Sequence, residues 1–156
     1  GVVSSSVQRW LATLDAGGRV WVAEGGVSDF TAEVVREIGR RRPELDTGAV
    51  IHVVQHAERN ESETAPENLR FVRSTTAYER IDDGNEANGT ADLNQPSEAF
   101  ERAALAGRHG TAWAAAFEYL PADQLDFSDT VEVLHILGVG TDEVADPEGF
   151  AQRFLR

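Results

Sequence analysis

The chain has 156 residues, with 27 Asp and Glu against 14 basic residues, all of them arginine, and a net charge of −13. An apolar share of 41% without any cysteine is enough for one globular core and leaves out disulfides and thiolate metal sites. No apolar run reaches the roughly 18 residues of a membrane span, no basic-plus-apolar signal segment opens the chain, and the excess of acid disfavours the phosphate contacts on which nucleic-acid binding rests.

Ser4-Ser5-Ser6 can cap a first helix, with Val7, Trp10, Leu11 and Leu14 on one face; Asp15 to Gly18 end it. Residues 19–23 read as a strand, which runs into Glu24-Gly25-Gly26. Ser28 is the expected N-cap of a second helix reaching about Ile38, with Phe30, Val34 and Ile38 as its apolar stripe. The run Arg40-Arg41-Arg42 then sits where the helix dipole favours cations. Ala49 to Val54 is a near-continuous apolar strand, as in a buried parallel sheet. A polar loop follows it to Pro66, an N1 residue for a helix to about Arg73. Tyr78 to Ile81 read as a third strand. Residues 82–96 form the longest polar loop. Helices fill the rest, carrying Phe100, Ala104 and Leu105; Trp113, Phe117 and Leu120; Val131 to Leu137; and Phe150 with Phe154 and Leu155. Trp113, Phe117 and Leu134 are expected in the core.

This order predicts an α/β fold with a small, mostly parallel sheet of three to four strands flanked by helices, and a helical C-terminal half. We expect one domain over residues 1–156, in a piece of a longer protein, since methionine is absent even at position 1. Lysine is absent too, which fits a salt-adapted or GC-rich source, and a cytoplasmic setting is favoured. In parallel sheets ligands lie outside the carboxyl ends of the strands, so the loops after the three strands hold the candidate residues.

After the first strand, Glu24, Gly25, Gly26, Ser28 and Asp29 form a turn in which the glycines let backbone approach a ligand. Ser28 and Asp29 also suit a plain helix start; an acid at the end of an apolar strand has no such structural reason. After the second strand come His56, Glu58 and Asn60. His52 lies four residues before His56, on the same side of the strand, but about 13 Å away, too far for a shared metal. His52 reads as a satisfied buried histidine. After the third strand, Asp83, Asn85 and Asn88 supply carboxylate and amide oxygens suited to a sugar's hydroxyls or to Mg²⁺ or Ca²⁺. Neither metal is required by the sequence, and Glu24 and Asp83 are the candidate metal ligands. The same residues also suit a pair of Asx-rich turns.

The strand–Gly-Gly–helix of Val20 to Gly26, the polar strand end from Val50 to Asn60, and Tyr78 to Asn85 resemble the nucleoside hydrolase-like α/β domain over residues 19–90. This resemblance implies a small-ligand site for a ribose-like or other polyol molecule at the strand C-termini, water activation by Asp83 with His56 as the acid, and Glu24 as a third catalytic group. The N-terminal Asp cluster with which enzymes of that superfamily bind calcium is missing here. Glu24-Gly25…Asp29 and Asp83-Gly84-Asn85 are also similar to the Toprim domain, which implies Mg²⁺-dependent phosphotransfer. From a different class comes a non-catalytic interaction domain of a larger protein. The expected partner is a small polar molecule or another domain of the same protein, with neither nucleic acid nor membrane favoured.

Overall fold

A computed structural model describes residues 1–84, 98–119, 128–139 and 153–155. The chain forms two compact units, Gly1–Ile81 and Asp82–Arg156. The first runs α1 (Val2–Asp15), β1 (Val20–Ala23), α2 (Asp29–Arg41), α3 (Thr47–Val50), β2 (Ile51–His56), α4 (Glu58–Glu63), α5 (Pro66–Thr75) and β3 (Ala77–Ile81). The second contributes α6 (Glu98–Ala106), α7 (Gly110–Tyr119) and α8 (Thr130–Ile136).

The three strands lie in sequence order, β1-β2-β3, and both pairs are parallel. The protein thus has a small α/β fold with a parallel sheet. Val20 pairs with Ile51, and Val22 with Val53, which in turn pairs with Tyr78. These side chains share one face, because residues alternate along a strand. They pack with Val7 of α1, Ala32, Val34, Val35 and Ile38 of α2, and Val72 of α5 in one apolar cluster. Full burial of each Val or Ile in such a cluster contributes about 1.5–3 kcal/mol.

Helix α2 shows why its segment is helical. Its buried residues Thr31, Ala32, Val34, Val35 and Ile38 make one stripe. Its C-terminal arginines are held by ion pairs, Arg40 and Arg41 to Glu37 at 2.6 Å each and Arg42 to Glu44 at 2.5 Å. Arg42 also pairs with Asp15.

Helix α1 ends in a Schellman turn. Gly17 has φ of 78° and donates its N–H to the Leu14 carbonyl, while Gly18 donates to Thr13. Helix α8 closes in the same way at Gly138, with φ of 66°.

Several expectations change in detail. The helix begins at Val2, so Ser5 lies inside it and donates its hydroxyl to the Val2 carbonyl at 2.8 Å. Residues 47–50 are a helical turn, and β2 starts at Ile51. The stretch after β2 is the short helix α4 rather than a loop. His52 is only half-buried, stacks on Trp21 at 4.0 Å between ring centroids, and has no hydrogen-bond partner at Nε2 among the described residues.

In the second unit Phe100 and Ala104 are buried, with Trp113, Phe117 and Leu155 packed against them. Phe100 meets Trp113 edge-on at 5.5 Å. Trp113 and Phe117 are half-buried rather than core, because α7 is apolar without one dominant face, whereas Leu134 is buried as expected. A side chain at Gly84 would collide with the backbone of Ser128, so this turn requires glycine. Residues 85–97, Leu120 and Phe150 lie outside the described residues.

Candidate functional site

The core face of the sheet changes character toward the strand C-termini. After the Val20–Ile51 and Val22–Val53–Tyr78 levels comes a polar one. Gln55 pairs in register with Arg80, and Glu24, one residue beyond the Ala23–Val54 pair, donates its N–H to the Val54 carbonyl at 2.9 Å. Glu24, Gln55 and Arg80 therefore continue the apolar levels as a polar rung. An apolar strand that turns polar on its inward face is building something other than core.

Gln55 is fully buried and organises this end. Its amide donates to the carbonyls of Glu24, at 3.3 Å, and of Gly26. Its Oε1 accepts the Ser28 hydroxyl at 2.7 Å and lies 3.4 Å from the Tyr78 hydroxyl. The Gly-Gly turn is thus tied to β2 by one side chain. Ser28 occupies the N-cap position of α2 without capping it, because its hydroxyl is committed to Gln55. The Ser28 N–H donates instead to the Thr64 hydroxyl at 3.1 Å. Asp29 accepts from the Asn68 amide and from the Ala65 N–H at 3.5 Å, linking the first turns of α2 and α5.

A second polar group adjoins the first. Glu61, buried on α4, accepts from Arg73 at 2.5 Å and from the Tyr78 hydroxyl at 2.7 Å, and lies 3.5 Å from Arg80. Burial alone would raise this carboxyl; Tyr78, Arg73 and Arg80 outweigh it and hold Glu61 below its ordinary value. Burial and the neighbouring Glu61 push the Tyr78 phenol well above its usual range.

Glu24 is the exception among these satisfied groups. It is 8% exposed, and its Oε2 is sealed from solvent with no hydrogen-bond partner among the described residues. Burial pushes its carboxyl up to about 7; Thr31, in the first turn of α2, offsets part of this, and the charge of Asp29 adds to the rise. Past the carboxyl end of the neighbouring strand the backbone is unusual. Ala57, just after β2, has φ of 64°, the one positive φ outside glycine among the described residues. Such a conformation costs an alanine about 1–2 kcal/mol.

The predicted residues are thus distributed as follows. Glu24, Gly25, Gly26, Ser28 and Asp29 gather at the β1–α2 turn, with Ser28 and Asp29 consumed by internal hydrogen bonds. His56 is buried but follows Gln55 on β2, so it belongs to the opposite face of the sheet from Glu24. Glu58 is exposed at the start of α4, and Asn60 donates to the His56 carbonyl at 3.4 Å. Asp83 belongs to the second unit, and Asn85 and Asn88 lie outside the described residues. Among the described residues no three acidic or histidine side chains gather to hold a metal. A groove of about 440 Å³ lies along α1 and the outer stripe of α2, lined by Val3, Ser4, Glu33, Arg36, Glu37 and Arg40; none of the predicted site residues lines it.

Sequence reasoning missed Gln55, Thr31, Thr64, Glu61, Arg73 and Tyr78. Gln55 had a signal: it takes the inward position two residues after Val53 and four after Ile51. No family model, curated protein or solved structure matches this chain.

Proposed function

We propose that the unit Gly1–Ile81 binds a small, polar, hydroxyl-bearing molecule at the carboxyl end of β1, with Glu24 as the recognising group. The observation that carries this is the Glu24 carboxyl, nine-tenths buried with Oε2 unpartnered in a rung where every other polar side chain has partners. A buried acceptor left open costs about 1–3 kcal/mol, which a ligand's hydroxyl would recover. The strained Ala57 at the end of the adjacent strand supports the same location. A carboxyl titrating near neutrality also suits general acid–base work, so a hydrolytic role would fall to Glu24 rather than to an Asp83–His56 pair.

The test is a thermal-shift series with ribose, sorbitol and nucleosides, run beside Glu24→Gln, and a reducing-sugar assay on the nucleosides. Binding raises the melting temperature by mass action, and the substitution should abolish the rise. No shift with any of these compounds would overturn the reading.

The interaction-domain alternative is favoured by a separate observation. Trp21 is 48% exposed and stacked on His52, on the sheet face opposite the apolar cluster. Large exposed aromatics of this kind anchor protein interfaces. If the ligand series is flat and Trp21→Ala abolishes binding to a partner domain, this alternative holds instead.

A further inference from the structure

The charge balance around Glu24 says what kind of ligand its site takes. From α2, Asp29 faces it with the same sign and Thr31 with a single hydroxyl. From β2 comes Gln55, uncharged, whose amide is already directed to the carbonyls of Glu24 and Gly26; His56 turns to the other face. Beyond Gln55, Arg80 of β3 and Arg73 of α5 are engaged by Glu61. Asn68 of α5 is uncharged and bound to Asp29. None of these described groups brings a free cation to Glu24.

We infer that this site exchanges the Glu24 proton for an organic ammonium: the ligand presents an N–H cation to the open Oε2, and the displaced proton leaves to solvent. The inference rests on the ligand-binding reading above and names its ligand class. Charge balances in the exchange, since each ammonium bound to the protonated carboxyl releases one proton, and no covalent bond other than O–H changes. A neutral polyol could accept or donate a hydrogen bond here but could not neutralise the ionised carboxylate. A hard metal ion would need several more oxygens, and those of Asp29 are held by Asn68 and Ala65.

The surroundings fit such a guest. The Gly25-Gly26-Val27 turn is at the surface, and a side chain at Gly26 would meet nothing within 4 Å. Val27 and Phe30, in the segment that joins β1 to α2, are 40% and 42% exposed. Because Oε2 is sealed, the turn must yield on binding, and the Gln55 amide is what holds it.

The probe pair is glucamine and sorbitol, which differ by an ammonium in place of one hydroxyl. Isothermal titration of the full chain, in buffers of different ionisation enthalpy, reads affinity and proton release together. The expected result is binding of glucamine at least tenfold tighter than of sorbitol, with glucamine affinity rising about tenfold per unit increase in pH up to about pH 7 and levelling above it, and about one proton released at the acid end. Glu24→Gln, checked for folding by circular dichroism, should abolish both. If sorbitol binds as well as glucamine and Glu24→Gln removes both, the ammonium inference falls while the ligand-binding reading stands. If neither binds, both fall. Glucamine binding that survives Glu24→Gln, or a thermal shift with Mg²⁺ or Ca²⁺ but not glucamine, also overturns the inference.

Discussion

Replacing Glu24 by glutamine should change how stability depends on pH, and the direction is opposite to that of most carboxylates. The folded-state value is raised, from the ordinary 4.5 to about 7. Between these values the folded chain keeps a proton that the unfolded chain has released. The associated stability is fully present below 4.5, falls as pH rises toward 7, and stays lost above it. At about 1.4 kcal/mol for each tenfold change, raising a carboxyl from 4.5 to about 7 corresponds to about 3 kcal/mol, an upper bound because local opening would relieve part of it. Glutamine keeps the shape and carries no proton to lose. Urea unfolding of both proteins at several values from about pH 4.5 to about pH 8 gives the comparison by linear extrapolation. Wild type should lose up to about 3 kcal/mol relative to Glu24→Gln across that range. A constant difference between the two curves would refute the argument, and with it the idea of a sealed carboxyl at the end of β1.

Other perturbations test other parts of the site. Gln55→Ala leaves the Ser28 hydroxyl and the carbonyls of Glu24 and Gly26 without their partner, and should cost about 2–4 kcal/mol in a urea melt. Ala57→Gly should stabilise by about 1 kcal/mol, against the usual sign for that exchange, because glycine accepts positive φ without strain. Glu61→Gln should cost about 1–3 kcal/mol at neutral pH, discounted because its arginines are half-exposed. Since the folded value of Glu61 is lowered, its contribution is present above 4.5 and lost as pH falls; the variant should therefore lose less stability on acidification than wild type. In the second unit, Phe100→Ala should cost about 3–5 kcal/mol, and Trp113→Ala less, because that ring is only half-buried.

What could be read from sequence followed from periodicity. The apolar run from Ile51 to Val54 and the spacing of Val34 and Ile38 specify a buried strand and an amphipathic helix, but Phe30, read into the same stripe, is 42% exposed, and Thr31 and Val35 are buried in the stripe instead. Helix α4 was not legible, since Glu58 to Glu63 are all polar and show no stripe; its place is set by the pairing of Glu61 with Arg73 and Tyr78, residues 12 and 17 positions away. The same limit applied to the site. That β1, β2 and β3 end on one edge follows from topology, but which side chains meet there depends on register. Register set Glu24 level with Gln55 and sent His56 to the other face. Ser28 and Asp29 looked like ligand groups because hydroxyls and carboxylates at a helix start serve either purpose, and only the distances to Gln55 and Asn68 tell them apart.

The order of the strands also bears on how this chain stays out of trouble in a crowded cell. Its most association-prone segment, Ile51 to Val54, occupies the middle of the sheet, where both backbone edges are already paired. The outer strands are poorer templates: β1 has four residues, and β3 carries Glu79 and Arg80, both exposed. Short or charged margins of this kind discourage the growth of a sheet from one molecule into the next. Any lesion that peels β3 away, such as loss of the Glu61 clasp on Arg80 and Tyr78, would leave one edge of the central strand unpaired and open to such growth.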